Sequence, residues 1–341
     1  MILFRADSNK QIASGHIMRC LSIAQAFKEA GEDVLFLIAD ENPIPMLERA
    51  RVKYVVLNSV WNDLMEEVDA MKSFLQAQIS PLLFIDTYQV SRRYVEELLP
   101  YSKICYLGSK PEYLGQLQAL INYSTDIDYD FYVSNYGDST KLLLGASYAP
   151  LRKEFLEVKH IKNAGGRFRI LLTTGNTDAQ NCVGKILKQL SKEESFSQIE
   201  VHAVLGAMFE TKEELHQLYD GNLSVVFHEN VKSMSSLMAI SDLAISANGT
   251  TVYELAAAKV PVISFAMVEE QVKSAKKLSE LGVVKYCGEI FNDTKTVVDI
   301  IISSVKRFVC HPEEMLKLAE QANSVIDGRG CERIVKTLKS I

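Results

Sequence analysis

Ile12-Ala13-Ser14-Gly15-His16-Ile17-Met18-Arg19-Cys20 lies between a short apolar run, Ile2-Leu3-Phe4, and a segment whose apolar positions Ile17, Cys20, Leu21, Ala24 and Phe27 recur at helical spacing. The pattern predicts a first strand, a polar turn and a first helix. Ser14 is placed to cap that helix and Gly15 to let the backbone turn sharply, which puts His16 in the first turn. There the positive end of the helix dipole opposes protonation, and Arg19 one turn later adds a second positive charge. Both favour a neutral imidazole able to accept a proton near pH 7. From this stretch alone two readings stand side by side: a catalytic base, and a histidine that only caps or packs at a helix start.

The strand-then-helix alternation continues. Val34 to Ala39, Tyr54 to Leu57, Leu82 to Asp86 and Lys103 to Leu107 are short apolar runs rich in β-branched or aromatic residues, separated by segments of helical period such as Asp63 to Gln78. This predicts βαβ units with right-handed crossovers and a parallel sheet covered on both faces. From about Asn122 to Gly166 the pattern loosens; Lys141 to Gly145 reads as a short strand, and the polar segment Lys159 to Arg167 contains Gly165-Gly166. The domain junction is expected here. Phe168 to Thr173 restarts the alternation, followed by Ile199 to Leu205, Leu223 to Phe227, Leu243 to Ser246, Val260 to Phe265 and Val283 to Cys287. Helices from Thr294 to Phe308, Pro312 to Ile326 and Glu332 to Ile341 close the chain.

With 341 residues, the chain suits two domains of roughly 150 residues each. The expected division is 1–150 and 151–341, an α/β protein of two doubly wound Rossmann-like domains with a cleft between the carboxyl ends of their sheets. A hydrophobic content of 48% with 23% charged residues fits a globular protein. The net charge of −6 and the absence of a Lys/Arg block argue against a nucleic-acid partner, while a local phosphate site stays compatible with an acidic chain. No secretion signal or membrane span is read, and six scattered cysteines without a C-x-x-C suggest reduced thiols, so a cytoplasmic location is expected. No metal-ligand spacing occurs, so neither a metal nor a cofactor is expected; the oligomeric state has no readable signal.

Four strand-to-loop transitions carry candidate chemistry. Asp7 follows the first strand and is placed to orient His16 or bind a substrate hydroxyl; an ordinary loop aspartate is the alternative. Asp86-Thr87-Tyr88 ends the fourth strand and points Asp86 and Tyr88 into the same crevice. Thr173-Thr174-Gly175-Asn176-Thr177-Asp178 opens the second domain, where a glycine turn before a helix makes an anion site from backbone N–H groups. Asn248-Gly249-Thr250-Thr251-Val252-Tyr253-Glu254 is a second such cradle. Glu254 is able to accept from two ribose hydroxyls, while Thr251-x-x-Glu254 equally matches a capping box. Neither G-x-G-x-x-G nor G-K-[ST] is present.

Together, Phe4-Arg5-Ala6-Asp7, Ser14 to Cys20, Asp86-Thr87-Tyr88, Gly145-Ala146-Ser147-Tyr148-Ala149-Pro150-Leu151-Arg152-Lys153-Glu154-Phe155 and the Gly249 to Glu254 turn resemble the nucleotide-sugar hydrolases of pseudaminic acid biosynthesis and the related spore-coat polysaccharide synthesis proteins. Those are part of the wider GT-B glycosyltransferase group. The resemblance runs across nearly the whole chain, and G-H-x-M-R-C and Y-A-x-L-R-x-E-F are its specific motifs. It implies a GT-B-like fold and a metal-independent, inverting hydrolysis of a UDP-linked deoxy-acetamido sugar at C1. His16 is then the general base, Tyr88 stands near the reacting sugar and Glu254 holds the ribose, with the Gly175 and Gly249 turns near the uridine diphosphate. Gln271 matches a sugar or phosphate contact. Gly15, Arg19, Asn122, Arg152, Thr177, Asn248, Thr250 and Thr251 complete the expected substrate- and nucleotide-binding set, and loops around Asn122 and Tyr88 set sugar specificity. Where this chain has Gly175-Asn176 and Asn248-Gly249 the family usually has two glycines. A proline usually stands at Ala179, a histidine at Thr87, and Asn-Gln at Glu270-Gln271. Side chains at Asn176 and Asn248 are expected to narrow the diphosphate site, and Glu270 to add repulsion. A glycosyltransferase using the same donor, and a binding protein without turnover, are the alternatives.

Overall fold

Every residue of Ile2–Ala6 (β1) is buried, and successive side chains enter different cores. Ile2, Phe4 and Ala6 pack on one face and Leu3 on the other. Two-sided burial is what a parallel strand between two helical layers requires. The computed structural model describes residues 1–161 and 166–340.

The first unit comprises Met1–Arg152 together with the residues from Arg329 onward. Its strands are β1, Val34–Ile38 (β2), Lys53–Val56 (β3), Leu82–Asp86 (β4), Lys103–Leu107 (β5), Ala119–Asn122 (β6) and Lys141–Leu144 (β7). They form one parallel sheet in the order β3-β2-β1-β4-β5-β6-β7. Phe4 stacks on Phe36 and Phe84 of the neighbouring strands at centroid distances of 5.1 and 4.8 Å. Phe27, from the first helix Gly15–Glu29, meets Phe84 edge-on at 5.7 Å. Each of these buried rings contributes about 1.5–3 kcal/mol through removal of apolar surface from water.

The second unit, Lys153–Gly328, holds Phe168–Thr173 (β8), Ile199–Leu205 (β9), Val225–Glu229 (β10), Leu243–Ala247 (β11), Val262–Ala266 (β12) and Lys285–Glu289 (β13). Its sheet is parallel in the order β10-β9-β8-β11-β12-β13. Both units are therefore doubly wound Rossmann-like α/β layers, as the alternating pattern predicts.

Several details differ from the sequence reading. The division falls between Arg152 and Lys153, and Gly165 of the expected junction lies outside the described residues. The closing helix, Gly330–Leu338, does not join the second unit as the 151–341 assignment expects: Ile334, Val335 and Leu338 are part of the core around Phe4 and Phe27. An amphipathic helix joins whichever core has room for its apolar stripe, and periodicity carries no information about which core that is. β6, which ends where the loosened region starts, is not among the expected strands. β10 starts at Val225, because Leu223 sits exposed in a turn where Asn222 Oδ1 accepts the Ser224 N–H at 2.9 Å.

Candidate active site

In the first sheet the chain runs outward in opposite directions from β1 and β4, so the crevice at their carboxyl ends is the topological switch point. The register pairs Ala6 with Asp86 there. The segment after β1 carries His16 and the end of β4 carries Asp86, and His16 Nδ1 lies 2.6 Å from Asp86 Oδ1. Arg19 closes the group: its Nε donates to Asp86 Oδ2 at 2.5 Å and its Nη2 pairs with Oδ1. The Cys20 thiol adds a long contact of 3.4 Å to Oδ2.

Burial opposes ionisation of Asp86, but the charge and hydrogen bonds of Arg19, with the bond to His16, outweigh it and hold the carboxyl below its usual value. Arg19 Nη2 lies 3.0 Å from His16 Nδ1, but the shorter 2.6 Å contact is to an ionised Asp86 that only accepts, and it favours the proton on Nδ1. A neutral His16 then has Nε2 as its open acceptor. The sequence reading placed the helix dipole, Arg19 and the Asp7 carboxylate beside His16; in the structure the carboxylate is Asp86, and Arg19 turns toward it. Arg19 therefore positions Asp86, and Tyr123 Oη accepts from its Nη1 at 3.2 Å. The imidazole is 4% exposed. Tyr88, 63% exposed, stands edge-on to it with ring centroids 4.7 Å apart.

The local backbone differs from expectation at two points. Ser14 makes no side-chain cap, and the left-handed residue of the turn is Ala13, at φ 54°, rather than Gly15. Gly15 is the first helical residue, and a Cβ there would meet nothing within 4 Å. Its missing side chain leaves open space next to His16 instead of permitting a bend.

Asp7 does not orient His16. Its Oδ2 pairs with Arg5 and its Oδ1 accepts the Ala39 N–H at 2.8 Å, which ties the ends of β1 and β2 together. Arg5 is fully buried on the opposite face, with Nε and Nη2 on Glu67 at 2.6 and 2.8 Å. Tyr94 Oη and Ser59 Oγ also donate to Glu67, at 2.6 and 2.9 Å. Burial raises the Asp7 carboxyl above its usual value even though Arg5 and the Ala39 N–H favour the charge. The cause is geometric and electrostatic: side chains alternate along β1, and the Arg5 charge holds Asp7 on its own side, in its buried network.

Asn122 is buried at the end of β6 and is held by its own neighbours, with Nδ2 donating to Tyr132 Oη at 3.1 Å and Oδ1 accepting the Ser124 N–H at 3.0 Å. Arg152 is half-buried at the end of the first unit's main stretch. Its motif divides there, since Glu154 accepts from Ser235 Oγ at 2.6 Å within the second unit.

In the second sheet the switch point lies between β8 and β11. The Gly175 turn after β8 has φ 93°, a conformation that favours glycine. Asn176 Oδ1 accepts the Ala207 N–H at 3.2 Å, and Thr177 is exposed. The helix behind them, Cys182–Leu190, is not an open anion site. Asp178 takes the Cys182 and Val183 N–H groups at 2.7 and 2.9 Å, and Asn181 takes that of Gly184 at 3.1 Å. A carboxylate of the chain thus occupies the place the sequence reading left for a phosphate.

The turn after β11 keeps that capacity. Helix Thr250–Ala257 has Gly249 as its N-cap, no side-chain cap and no acidic residue in its first turn. Because the helix begins at Thr250, Thr251 is inside it, and the capping-box reading of Thr251 and Glu254 fails. Glu254 is half-buried on the second turn. Gly249 is extended, and a Cβ there would meet nothing within 4 Å. Asn248 is 4% exposed, with Nδ2 donating to the Gln271 carbonyl at 3.4 Å. Gln271 Oε1 accepts the Met267 N–H at 2.8 Å, so this side chain braces the segment after β12. Glu270 is exposed beside it.

Sequence reasoning missed three links: Asp86 to His16, Asp178 to its helix, and Gln180, whose Nε2 donates to the Met267 carbonyl at 3.1 Å. The first was within reach, because the doubly wound order places β4 beside β1. No group of three or more His, Cys, Asp or Glu side chains suited to a metal ion occurs among the described residues, and none of their helices is long and apolar enough to cross a membrane.

Residues 169–328 match the glycosyltransferase family 28 C-terminal domain, which spans nearly all of the second unit. An uncharacterized protein of Methanocaldococcus jannaschii is 26% identical over 271 residues, 75% of this chain and 54% of that protein. The spore coat polysaccharide biosynthesis protein SpsG of Bacillus subtilis is 22% identical over 59% of this chain and 56% of its own length. The chain thus spans little more than half of each of these two relatives. The UDP-2,4-diacetamido-2,4,6-trideoxy-beta-L-altropyranose hydrolase of Campylobacter jejuni is 25% identical over 82% of this chain and 97% of its own. Among solved structures, MurG of Acinetobacter baumannii superposes with a TM-score of 0.69 at 13% identity, covering 100% of this chain and 99% of that one. The UDP-GlcNAc 2-epimerase of Neisseria meningitidis, solved with UDP-GlcNAc bound, gives 0.69 at 14% identity and covers both chains completely. With the two parallel sheets, these likenesses make the fold an α/β GT-B fold.

Proposed function

We propose that this chain hydrolyses a UDP-linked deoxy-acetamido sugar at C1, in the synthesis of a nonulosonic acid or surface polysaccharide. The observation that carries the reading is the His16–Asp86–Arg19 group at the switch point of the first unit. With Nδ1–H committed to Asp86, Nε2 accepts a proton from water as the water oxygen bonds to C1. The bond from C1 to the diphosphate oxygen breaks, its electron pair leaves with UDP, and the anomeric centre inverts. Asp86 compensates the positive charge that develops on the ring, as the carboxylate of a catalytic triad does. A nucleoside diphosphate departs as a stable anion, so helix dipoles suffice for the leaving group and a second carboxylate acid is not required. Within the second unit, the uncapped start of the Thr250–Ala257 helix offers such a dipole to a diphosphate, and Glu254 offers a contact to a ribose. The length-wide similarity to the Campylobacter jejuni hydrolase supports water as the acceptor.

Transfer to an acceptor hydroxyl is the second reading, favoured by the family 28 match of residues 169–328. Incubation with UDP-acetamido sugars and no acceptor separates them. UDP and free sugar appear in equal amounts if hydrolysis is the reaction; UDP release that begins only when an acceptor is added assigns transfer. No release with or without acceptor overturns both.

A further inference from the structure

Among the described residues, four buried side-chain atoms lack a hydrogen-bond partner: Gln180 Oε1, Thr211 Oγ1, Asn248 Oδ1 and Ser264 Oγ. Two are amide oxygens, and both belong to the switch point of the second unit. Gln180 follows β8, and Asn248 directly follows β11. Their nitrogen ends are committed to one segment, since Gln180 Nε2 donates to the Met267 carbonyl at 3.1 Å and Asn248 Nδ2 to the Gln271 carbonyl at 3.4 Å. Gln271 Oε1 holds that segment by accepting the Met267 N–H at 2.8 Å. Reversing either amide would set its oxygen against a carbonyl oxygen, so the two oxygens are fixed as acceptors.

A buried acceptor without a donor lowers stability, and such atoms are rare enough in native proteins to require a reason. We infer that Asn248 and Gln180 form an acceptor pair that takes a hydroxyl or amide N–H of the bound nucleotide sugar. The inference rests on the UDP-sugar reading above and adds a selection rule to it. An ionised diphosphate offers only acceptors and cannot complete this pair. The phosphates belong to the uncapped helix start at Thr250, and Asn248 reads a neutral, donor-bearing part of the ligand next to them. The Asn248 side chain thereby selects for donors instead of merely narrowing the site. The donor is a hydroxyl of the ribose or a hydroxyl or acetamido N–H of the sugar.

Calorimetry with UDP, 2′-deoxy-UDP, 3′-deoxy-UDP and UDP-GlcNAc on the wild type, Asn248→Ala and Gln180→Met tests this. Both variants weaken UDP-GlcNAc about 3- to 10-fold, the loss of one neutral hydrogen bond. A sugar donor leaves UDP affinity unchanged. A ribose donor weakens UDP equally, and one deoxy analogue becomes insensitive to the substitutions. Melting of the free variants checks their folding, since each substitution also removes the amide donor to the Met267 or Gln271 carbonyl. Unchanged affinity for every probe in both variants, with normal wild-type binding, means the oxygens are only hydrated and overturns the pair alone. A wild type that binds no uridine probe overturns the UDP-sugar reading and the pair together.

Discussion

His16 Nδ1 and Asp86 Oδ1 meet at 2.6 Å across 70 residues of chain, and Arg19 grips the same carboxylate from one helical turn beyond His16. The contact sets the tautomer of the imidazole and leaves Nε2 as the acceptor nitrogen of a helix-start histidine.

Asp86→Asn tests this directly. An amide N–H facing Nδ1 stabilises the tautomer protonated on Nε2, which cannot accept a proton from water. Turnover falls about 100-fold or more, as it does in His16→Ala, while UDP affinity by calorimetry stays within about two-fold. Near-wild-type turnover in either variant would remove the pair from the mechanism.

Gly15→Ala separates folding from ligand access. Alanine is the better helix former, and a Cβ at this position touches nothing. The variant therefore melts at or above the wild-type temperature, but its KM for a UDP-sugar rises about ten-fold because the methyl group takes space needed by the substrate. An unchanged KM would show that the ligand does not use the space beside His16.

The acid limb of stability has a specific source in the second unit. His202 Nδ1 lies 2.9 Å from His228 Nε2, and burial, then the neighbouring His202, lowers His228 below its usual value of 6.5. The unfolded chain therefore binds a proton that the folded chain refuses. Stability is full above about pH 6.5 and falls as the pH drops toward the lowered value. His216 slopes the other way, raised first by its bond to Asp220, but it is solvent-screened and contributes less. Melting between pH 8 and pH 5 shows a smaller decline in His228→Gln than in the wild type; parallel curves would contradict the assignment.

Ile334→Ala tests where the closing helix is anchored. Ile334 is fully buried in the core around Phe4, so truncation costs about 2–5 kcal/mol. Hydrogen exchange accelerates in residues 1–152 and stays unchanged in 169–327. Acceleration confined to the second range would assign the helix to the other core.

Most strands of both units were legible, because parallel strands buried on both faces read as continuous apolar runs such as Leu82 to Asp86 and Phe168 to Thr173; their order in the sheets was not. β6 was not, since Ala119–Asn122 is short and is embedded among turn residues. Candidate positions at carboxyl edges were legible for the same reason: doubly wound sheets place ligands there. The roles of individual polar residues were less so. Asp7, Asp86 and Asp178 are all aspartates at or just beyond strand ends. One anchors a buried arginine, one orients His16 and one fills a helix N-terminus.

Local periodicity and turn chemistry, which depend only on neighbouring residues, thus determined the α/β class, the near-midpoint division and the location of His16 in a first helical turn. Tertiary structure alone decided which carboxylate meets His16, which helix start is left uncapped, which core receives the closing helix and which amide oxygens lack a donor. Each of these is a competition among several chemically equivalent groups for one partner. Its outcome depends on distances of a few ångströms between segments far apart in the chain, and residue spacing does not encode them.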